Sequence, residues 1–506
     1  MIDFTPILRP YFMRRVDASR RYAGHTRDIQ LRELIWMVSR GCHTLWGETH
    51  DMKTIGSYRE FTSRIPLTTY ADMRPWVERM IAGERDILWP GVTRNFAQSS
   101  GTSDGKSKYV PITPDSLRRC HYKGASDVVS HYLNLYPDSR IFSGKAFILG
   151  GSFANELTLP AGVRVGDLSA SLIANINPLA NLVRVPSKRV ALMADWGEKL
   201  PALVNAALRE NITNLSGVPS WFLTVLKEVI KAAGASTIHD VWPNLEVFFH
   251  GGISFAPYRE QYAAITDASK MRYLETYNAS EGFFAVQNAI DDRAMLLLLD
   301  IGVFYEFIPI GETDNPTPET LTAWEVEPGC VYELVITACN GLWRYRIGDT
   351  VRVESVNPVK ITIAGRTKHY INAFGEELMV HNAEAAMARA SSITGCAVLN
   401  YTAAPVYASD HSRGRHEWLV EFATPPADMA RFATVLDESL QQENSDYQAK
   451  RYKGIFLDAP TVVSARRGLF DDWLRSTGKL GGQRKVPRLC NDRRFIDPML
   501  HLMHNS

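Results

Sequence analysis

Residues 331–349 read VYELVITACNGLWRYRIGD, two apolar runs rich in β-branched and aromatic residues on either side of Asn340-Gly341. Asn-Gly between two such runs is the strongest short-range hairpin signal, because both turn residues must take left-handed backbone angles. Val331–Thr337 and Leu342–Ile347 are therefore expected as paired antiparallel strands, the second ending at Gly348. Asp349 then projects from the strand's end, where a carboxylate can accept hydrogen bonds from two vicinal hydroxyls such as a ribose offers. Taken alone, it reads more simply as a turn aspartate.

Around this hairpin the chain reads as successive strands from 293 to about 365. Residues 1 to about 90 read as mostly helical, 141–150 (IFSGKAFILG) as a strand running into Gly150 and Gly151, and 189–232 as helical again. Leu245–Phe249 is a short apolar run ending in His250-Gly251-Gly252, the pattern of a buried strand that delivers a loop to a site. After Gly365 helices alternate with strands such as Glu417–Ala423. A helix is expected from Pro425, capped by Thr424, with Pro425 and Pro426 in its first turn and Met429, Phe432, Leu436 and Leu440 as its apolar stripe. These changes of texture divide the chain into 1–367 and a smaller α/β domain, 368–506.

With 506 residues, two or three domains are expected. The apolar fraction of 45% and charged fraction of 22% are those of a globular protein with a large core, not of a disordered one. Lys plus Arg number 56 against 55 Asp plus Glu, a formal charge of +1, so no net field exists to hold nucleic acid or an anionic membrane. The local cluster Arg14, Arg15, Arg20, Arg21 and Arg27 reads as a solvated helix face. Asp3 and Arg9 interrupt the N-terminal apolar stretch, so no export signal is expected there. The most apolar segment, Ala294–Leu299, is far shorter than the roughly 20 residues of a membrane span. Six cysteines without a CxxC pair suit a reducing cytoplasm and are expected as mostly buried thiols.

Three further stretches carry chemistry. Residues 98–108, QSSGTSDGKSK, combine glycines and hydroxyls as a phosphate-cradling loop does, although Ser100 stands where a Walker A loop requires glycine. Residues 274–284, LETYNASEGFF, place Tyr277 to stack on a flat base and Glu281, four residues on, to face a magnesium–phosphate group. Residues 478–488, GKLGGQRKVPR, form a glycine-rich basic loop whose lysine can meet a developing phosphate charge. Each is individually weak: a flexible loop, a core aromatic and a solvated turn account for them as well. Gly252-Ile253-Ser254-Phe255-Ala256, before a helix expected at 258–266, has the outline of a hydrolase nucleophile elbow, but Ala256 and Pro257 replace the closing glycine.

Taken together and in this order, SSGTSDGKSK, YNASEGFF, YRIGD and QRKVPR resemble the Gretchen Hagen three family, the auxin-responsive-promoter acyl-acid amido synthetases of the adenylate-forming superfamily. GVPSWF (217–222), WPNLEVFFHGGISFAPYREQY (242–262) and GRTKHYINAFGEEL (365–378) look like its bacterial branch, so the resemblance runs nearly the full length. It implies a large N-terminal domain with a β-barrel and α/β sheets, and a small mobile C-terminal α/β domain. The family activates a carboxylic acid with ATP and magnesium, releases pyrophosphate, and passes the acyl group to an amine, typically an amino acid. By this resemblance Ser99, Ser100, Gly101, Thr102 and Ser103 hold the phosphates, Tyr277 stacks on adenine, Asp349 binds ribose with Arg366 beside it, and Glu281 faces magnesium. Gly251 and Gly252 line the acyl-adenylate pocket, and Lys485 is the catalytic lysine that meets the α-phosphate.

Two departures stand out. Asp104 occupies a place where the family often has glycine, and Arg119 matches the plant acid-binding arginine poorly. Arg119 and Lys123 are the candidate partners for an amine's carboxylate. A hinge near Thr367–Lys368 would withdraw the lysine and admit the amine. A thioester-forming ligase acting on coenzyme A or a carrier protein shares the adenylation half. A non-catalytic nucleotide-binding protein shares the fold, but Lys485 argues against it.

Overall fold

The computed structural model describes residues 2–99, 108–155, 157–366, 370–408, 413–454, 456–476 and 486–504. They form two compact units, one of Met1–Ser99 with Lys108–Thr367, the other carrying Lys368–Ser506.

The first unit contains β1 (Asn95–Ser99), β2 (Lys108–Ile112), β3 (Lys145–Ile148), β4 (Arg164–Gly166), β5 (Arg184–Val185), β6 (Ile212–Gly217), β7 (Val247–Gly251) and β8 (Arg272–Ala279). It continues with β9 (Gly282–Gln287), β10 (Met295–Leu297), β11 (Val303–Pro309), β12 (Leu321–Thr322), β13 (Val331–Ala338), β14 (Leu342–Val356) and β15 (Val359–Arg366). Strands β2-β1-β4 make a small sheet; the others make a twelve-stranded sheet in the order β12-β11-β13-β14-β15-β10-β9-β8-β7-β6-β3-β5.

Two kinds of pairing meet in that sheet. β5, β3, β6, β7 and β8 are parallel neighbours, which requires crossovers, and helices Trp196–Leu208, Pro219–Ala233 and Arg259–Ile265 supply them. Helix Pro219–Ala233 starts on proline, stops at left-handed Gly234 (φ 63°) and buries Phe222, Leu223, Val225, Leu226 and Val229. The stretch 189–232 is not helical throughout as expected, since β6 interrupts it. Residues Ile212–Leu215 are all buried, and a strand covered on both faces shows no alternation to betray it.

From β8 onward the pairing is antiparallel. The expected hairpin forms, with Ala338 opposite Leu342, but its loop holds three residues, Cys339–Gly341, and of these only Gly341, at φ 93°, takes a left-handed angle. The second strand does not end at Gly348: β14 runs on to Val356, and Gly348 sits within it at φ 88°. In a flat sheet β8 and β14, four strand spacings apart, would be about 19 Å from each other. The Tyr277 hydroxyl on β8 nevertheless donates to Oδ2 of Asp349 on β14 at 2.7 Å. The sheet must therefore curl strongly here, in the manner of a barrel wall.

N-terminal helices cover this curled half, adding Met37, Phe61, Met73 and Val77 to a core shared with Trp89, Trp343 and Tyr345. Arg344 fastens the two: it pairs with Glu306 at 2.8 Å and donates to the Ile65 carbonyl at 2.9 Å. Arg15 departs from the solvated role expected of its cluster. Its guanidinium is partly buried between Asp127 and Asp300, at 2.6 and 2.9 Å. All six cysteines are free, but only Cys120 and Cys339 are buried and Cys330 is exposed, so the expectation of mostly buried thiols fails. Among the described residues no helix is long and apolar enough to cross a membrane.

In the second unit β16 (Tyr370–Ile371) and β17 (Leu378–Met379) form a small hairpin, while β18 (Ala397–Val406), β19 (Arg415–Thr424) and β20 (Thr461–Ala465) form a sheet. Helices Val380–Thr394 and Met429–Glu443 pack together. The latter begins later than expected: Asp428 caps it by accepting from the Arg431 N–H at 3.0 Å. Thr424 is instead the last residue of β19, opposite Ala397.

Candidate active site

Three neighbouring parallel strands of the first unit run into glycine at their C-terminal ends: β3 into Gly150-Gly151, β6 at Gly217 and β7 at Gly251-Gly252. Ligands of open parallel sheets sit outside these ends. The two glycines after β7 are required for different reasons. A Cβ at Gly251 would overlap the Thr276 carbonyl of the adjacent strand, whereas Gly252 has room but holds φ 83°. At Gly151 a Cβ would overlap the Asp167 carboxylate, which accepts the Ser152 N–H at 2.6 Å.

Beneath this edge lies a buried cation. Lys199, 1% exposed, donates from Nζ to the Gly150 carbonyl at 2.6 Å and to the Met193 carbonyl at 3.0 Å. Burial pushes its pKa down to about 8, with the Asp167 charge opposing the shift. His250, at the end of β7, is pushed down to about 3 by burial and the nearby Arg259 charge, so its ring is neutral. That ring stacks on Phe255 at 4.4 Å.

Across the sheet the groups are polar and acidic. Tyr277 stands one residue beyond Thr276, the register partner of Gly251. It is 4% exposed, with its ring edge-on to Phe284 at 5.0 Å. Its hydroxyl reaches Asp349, whose register partner on β15 is Arg366. Glu281 is 7% exposed and sits in the β8–β9 turn. Its carbonyl accepts Nδ2 of Asn340, the hairpin asparagine, at 3.1 Å. Gly251, Tyr277, Asp349 and the Arg366 backbone thus belong to one continuous curled sheet.

Ser99 ends β1 opposite Lys108, so residues 100–107 join the two strands of a hairpin. Ser100, Gly101, Thr102, Ser103 and Asp104 lie outside the described residues, as do the hinge candidates Thr367 and Lys368, the catalytic candidate Lys485 and most of its loop; the Arg366 side chain is likewise not described. Arg119 and Lys123 are already committed. Arg119 pairs with Glu33 at 3.3 Å and lies over the Trp36 ring at 3.7 Å, while Lys123 pairs with Asp300 at 3.2 Å. Ser254 of the elbow-like stretch is exposed and outside regular structure, two residues before a 3₁₀ turn, Ala256–Tyr258. Among the described residues no group of three or more His, Cys, Asp or Glu is arranged to hold a metal.

Sequence reasoning missed Lys199 and Asp167. Lys199 stands within a helix, where a lysine ordinarily marks the wet face, and no local pattern separates the two cases. Asn340 was read as a turn residue only; its second task, holding Glu281, depends on a contact 59 residues away.

Comparison with known proteins follows the same outline. The GH3 family N-terminal domain matches residues 15–179 and 164–271, the GH3 family central domain 296–366, and the GH3 family C-terminal domain 381–494. Indole-3-acetic acid-amido synthetase GH3.3 of Arabidopsis thaliana is 22% identical over 99% of this chain and 95% of its own length. Indole-3-acetic acid-amido synthetase GH3.8 of Oryza sativa subsp. indica is 23% identical over 85% of this chain and 82% of its own. Among solved structures, AtGH3.15 acyl acid amido synthetase in complex with 2,4-DB has a TM-score of 0.62 at 18% identity, covering 96% of this chain and 95% of that one. 2-Hydroxyisobutyryl-CoA ligase with 2-HIB-AMP and CoA has a TM-score of 0.59 at 14% identity, covering 95% and 92%.

Proposed function

We infer that this chain, which belongs to the GH3 family, is an ATP-dependent acyl-acid amido synthetase working through an acyl-adenylate. An oxygen of the acid's carboxylate attacks the α-phosphorus of ATP, the bond to the β-phosphate oxygen breaks, and pyrophosphate leaves. The nitrogen of an amine, an amino acid in our reading, then attacks the acyl carbon and loses a proton as AMP departs. The observation that carries this reading is the hydrogen bond from Tyr277 to Asp349. Two motifs 72 residues apart meet at one point, beside the glycine edge of a parallel sheet.

The residues divide the work as follows in our proposal. A carboxylate has about four lone-pair sites, so Asp349 can accept Tyr277 and ribose hydroxyls together, with Arg366 beside the ribose. Tyr277 orients Asp349 and stacks on adenine; since its ring is 4% exposed, stacking requires that face to be uncovered when nucleotide enters. Ser99, Ser100, Gly101, Thr102 and Ser103 take the phosphates. The carboxylate of Glu281 would hold magnesium bound to ATP, an ion that commonly takes only one or two protein carboxylates. The ion's charge offsets the negative charge of the phosphates. Gly251 and Gly252 leave room for the acyl-adenylate.

The first half-reaction brings two anions together and builds charge at phosphorus, so fixed cations and N–H donors lower its barrier. Lys485 is assigned that role from its QRKVPR context. A hinge near Thr367–Lys368 then lets the unit beyond it withdraw the lysine and admit the amine. Calorimetry with ATP and magnesium tests the adenylation half. Binding in the millimolar range or tighter is expected, and none in the folded protein would overturn it.

A further inference from the structure

A cavity of about 650 Å³ lies at the far edge of the large sheet, lined among others by Lys145, Asn181, Arg184, Asn205, Arg209 and Glu210. Lys145 begins β3 and Arg184 begins β5, the edge strand, so the cavity is at the opposite end of β3 from the Gly150-Gly151 edge. Its charges do not balance. Glu210 is taken by Lys145 at 2.7 Å, which leaves Arg184 and Arg209. Arg209 is exposed and in no ion pair among the described residues. The end of helix Trp196–Leu208 contributes only about half a negative charge, less than the two arginines bring.

Arg184 is the unusual member. It is 5% exposed, and its neighbours are neutral: Nε donates to Oδ1 of Asn181 at 2.7 Å and Nη1 to the Pro186 carbonyl at 2.8 Å. Nη2 is buried with no hydrogen-bond partner and no surface open to the cavity, so an anion meets it only when the side chain turns outward. Desolvation alone draws its pKa below the usual arginine value, with no carboxylate opposing it. A buried guanidinium with an unmade hydrogen bond is costly unless an anion completes it. Arginine's fork matches tetrahedral oxyanions, and a charge-assisted hydrogen bond is about twice as strong as a neutral one.

We propose that this cavity binds a small organic phosphate, the phosphoryl group held between Arg184 and Arg209 and the polar remainder against Asn181 and Asn205. The volume is far larger than one phosphate needs and lies within the range of small-molecule sites. The site is separate from the nucleotide site proposed above and does not depend on it.

Hydrogen exchange of the whole protein with ribose 5-phosphate, pyrophosphate, inorganic phosphate or citrate tests this. Millimolar ribose 5-phosphate should slow exchange in 178–187 and 205–210, less so at high salt, and inorganic phosphate should act more weakly. Arg209→Ser, an exposed position, should reduce the affinity about tenfold or more, the size of one charge-assisted hydrogen bond, without lowering the thermal midpoint. Arg184→Met should abolish the protection, and Asp349→Ala should retain it. No protection of these segments by any phosphate would overturn the proposal and leave a water-filled cavity. Equal protection in Arg209→Ser, or protection by citrate alone, would also overturn it.

Discussion

The two halves of the twelve-stranded sheet meet at β8 and β9 and offer a ligand different things. The parallel half ends in glycines, packed against backbone at Gly251 and against a carboxylate at Gly151, so what it presents is peptide groups, with open space only beside Gly252. The antiparallel half presents charge: Asp349 held by Tyr277, and Glu281 in a turn fastened by Asn340. Shape on one side and charge on the other suit a reaction that joins a variable acid to an invariant nucleotide. On the proposed assignment the glycine edge takes differing acids without disturbing the carboxylates.

The contrast can be broken or sharpened by substitution. The largest effect is expected in neither half. Lys485→Ala should slow pyrophosphate release about 10²–10³-fold, the scale for one preorganised electrostatic partner, while ATP affinity falls far less. Normal release in that variant would mean that the charge comes from the sheet alone.

Within the charged half, Asp349→Ala should weaken ATP binding by about 1.5–3 kcal/mol, the scale of hydrogen bonds to a charged group. The KM for the acid should hardly change. An unaltered ATP affinity by calorimetry would remove Asp349 from the ribose. In the glycine half the reverse pattern is expected. Gly251→Ala forces a methyl against the Thr276 carbonyl and should cost about 1–3 kcal/mol of stability in urea unfolding, with a raised KM for the acid. A variant as stable as the parent would show that β7 and β8 can separate locally.

Lys199 gives the most specific test. Its folded pKa of about 8 lies below the ordinary lysine value, so between these values the unfolded chain binds more protons and stability rises with pH through this group. Relative to Lys199→Met, the parent should gain about 3 kcal/mol as the pH climbs through this window. A flat difference would mean that the ammonium is solvated and does not support Gly150.

Much of this was legible in the chain, for identifiable reasons. Asn340-Gly341 announced its hairpin because the turn demands backbone angles that few residues take, and the run into His250-Gly251-Gly252 announced β7 because a buried strand must end in a loop. Local chemistry failed where long-range packing decided. β6 was invisible because burial on both faces erases alternation. Gly348 looked like a strand's end because a left-handed glycine inside a long strand reads as a stop. Arg15 looked solvated until Asp127 and Asp300, far along the chain, closed around it. At the site, residue types suggested Tyr277 and Asp349 separately, but only the curl of the sheet brings them within 2.7 Å.

The claim that this chain joins an acid to an amine is tested most directly by its product. The protein would be incubated with ATP, magnesium and a panel of carboxylic acids, with the common amino acids or with coenzyme A, and products read by mass spectrometry. The account predicts an N-acyl amino acid with AMP and pyrophosphate, formed faster when the amino acid is present, and no acyl-CoA. Acyl-CoA formed with no amide from any amino acid would contradict it.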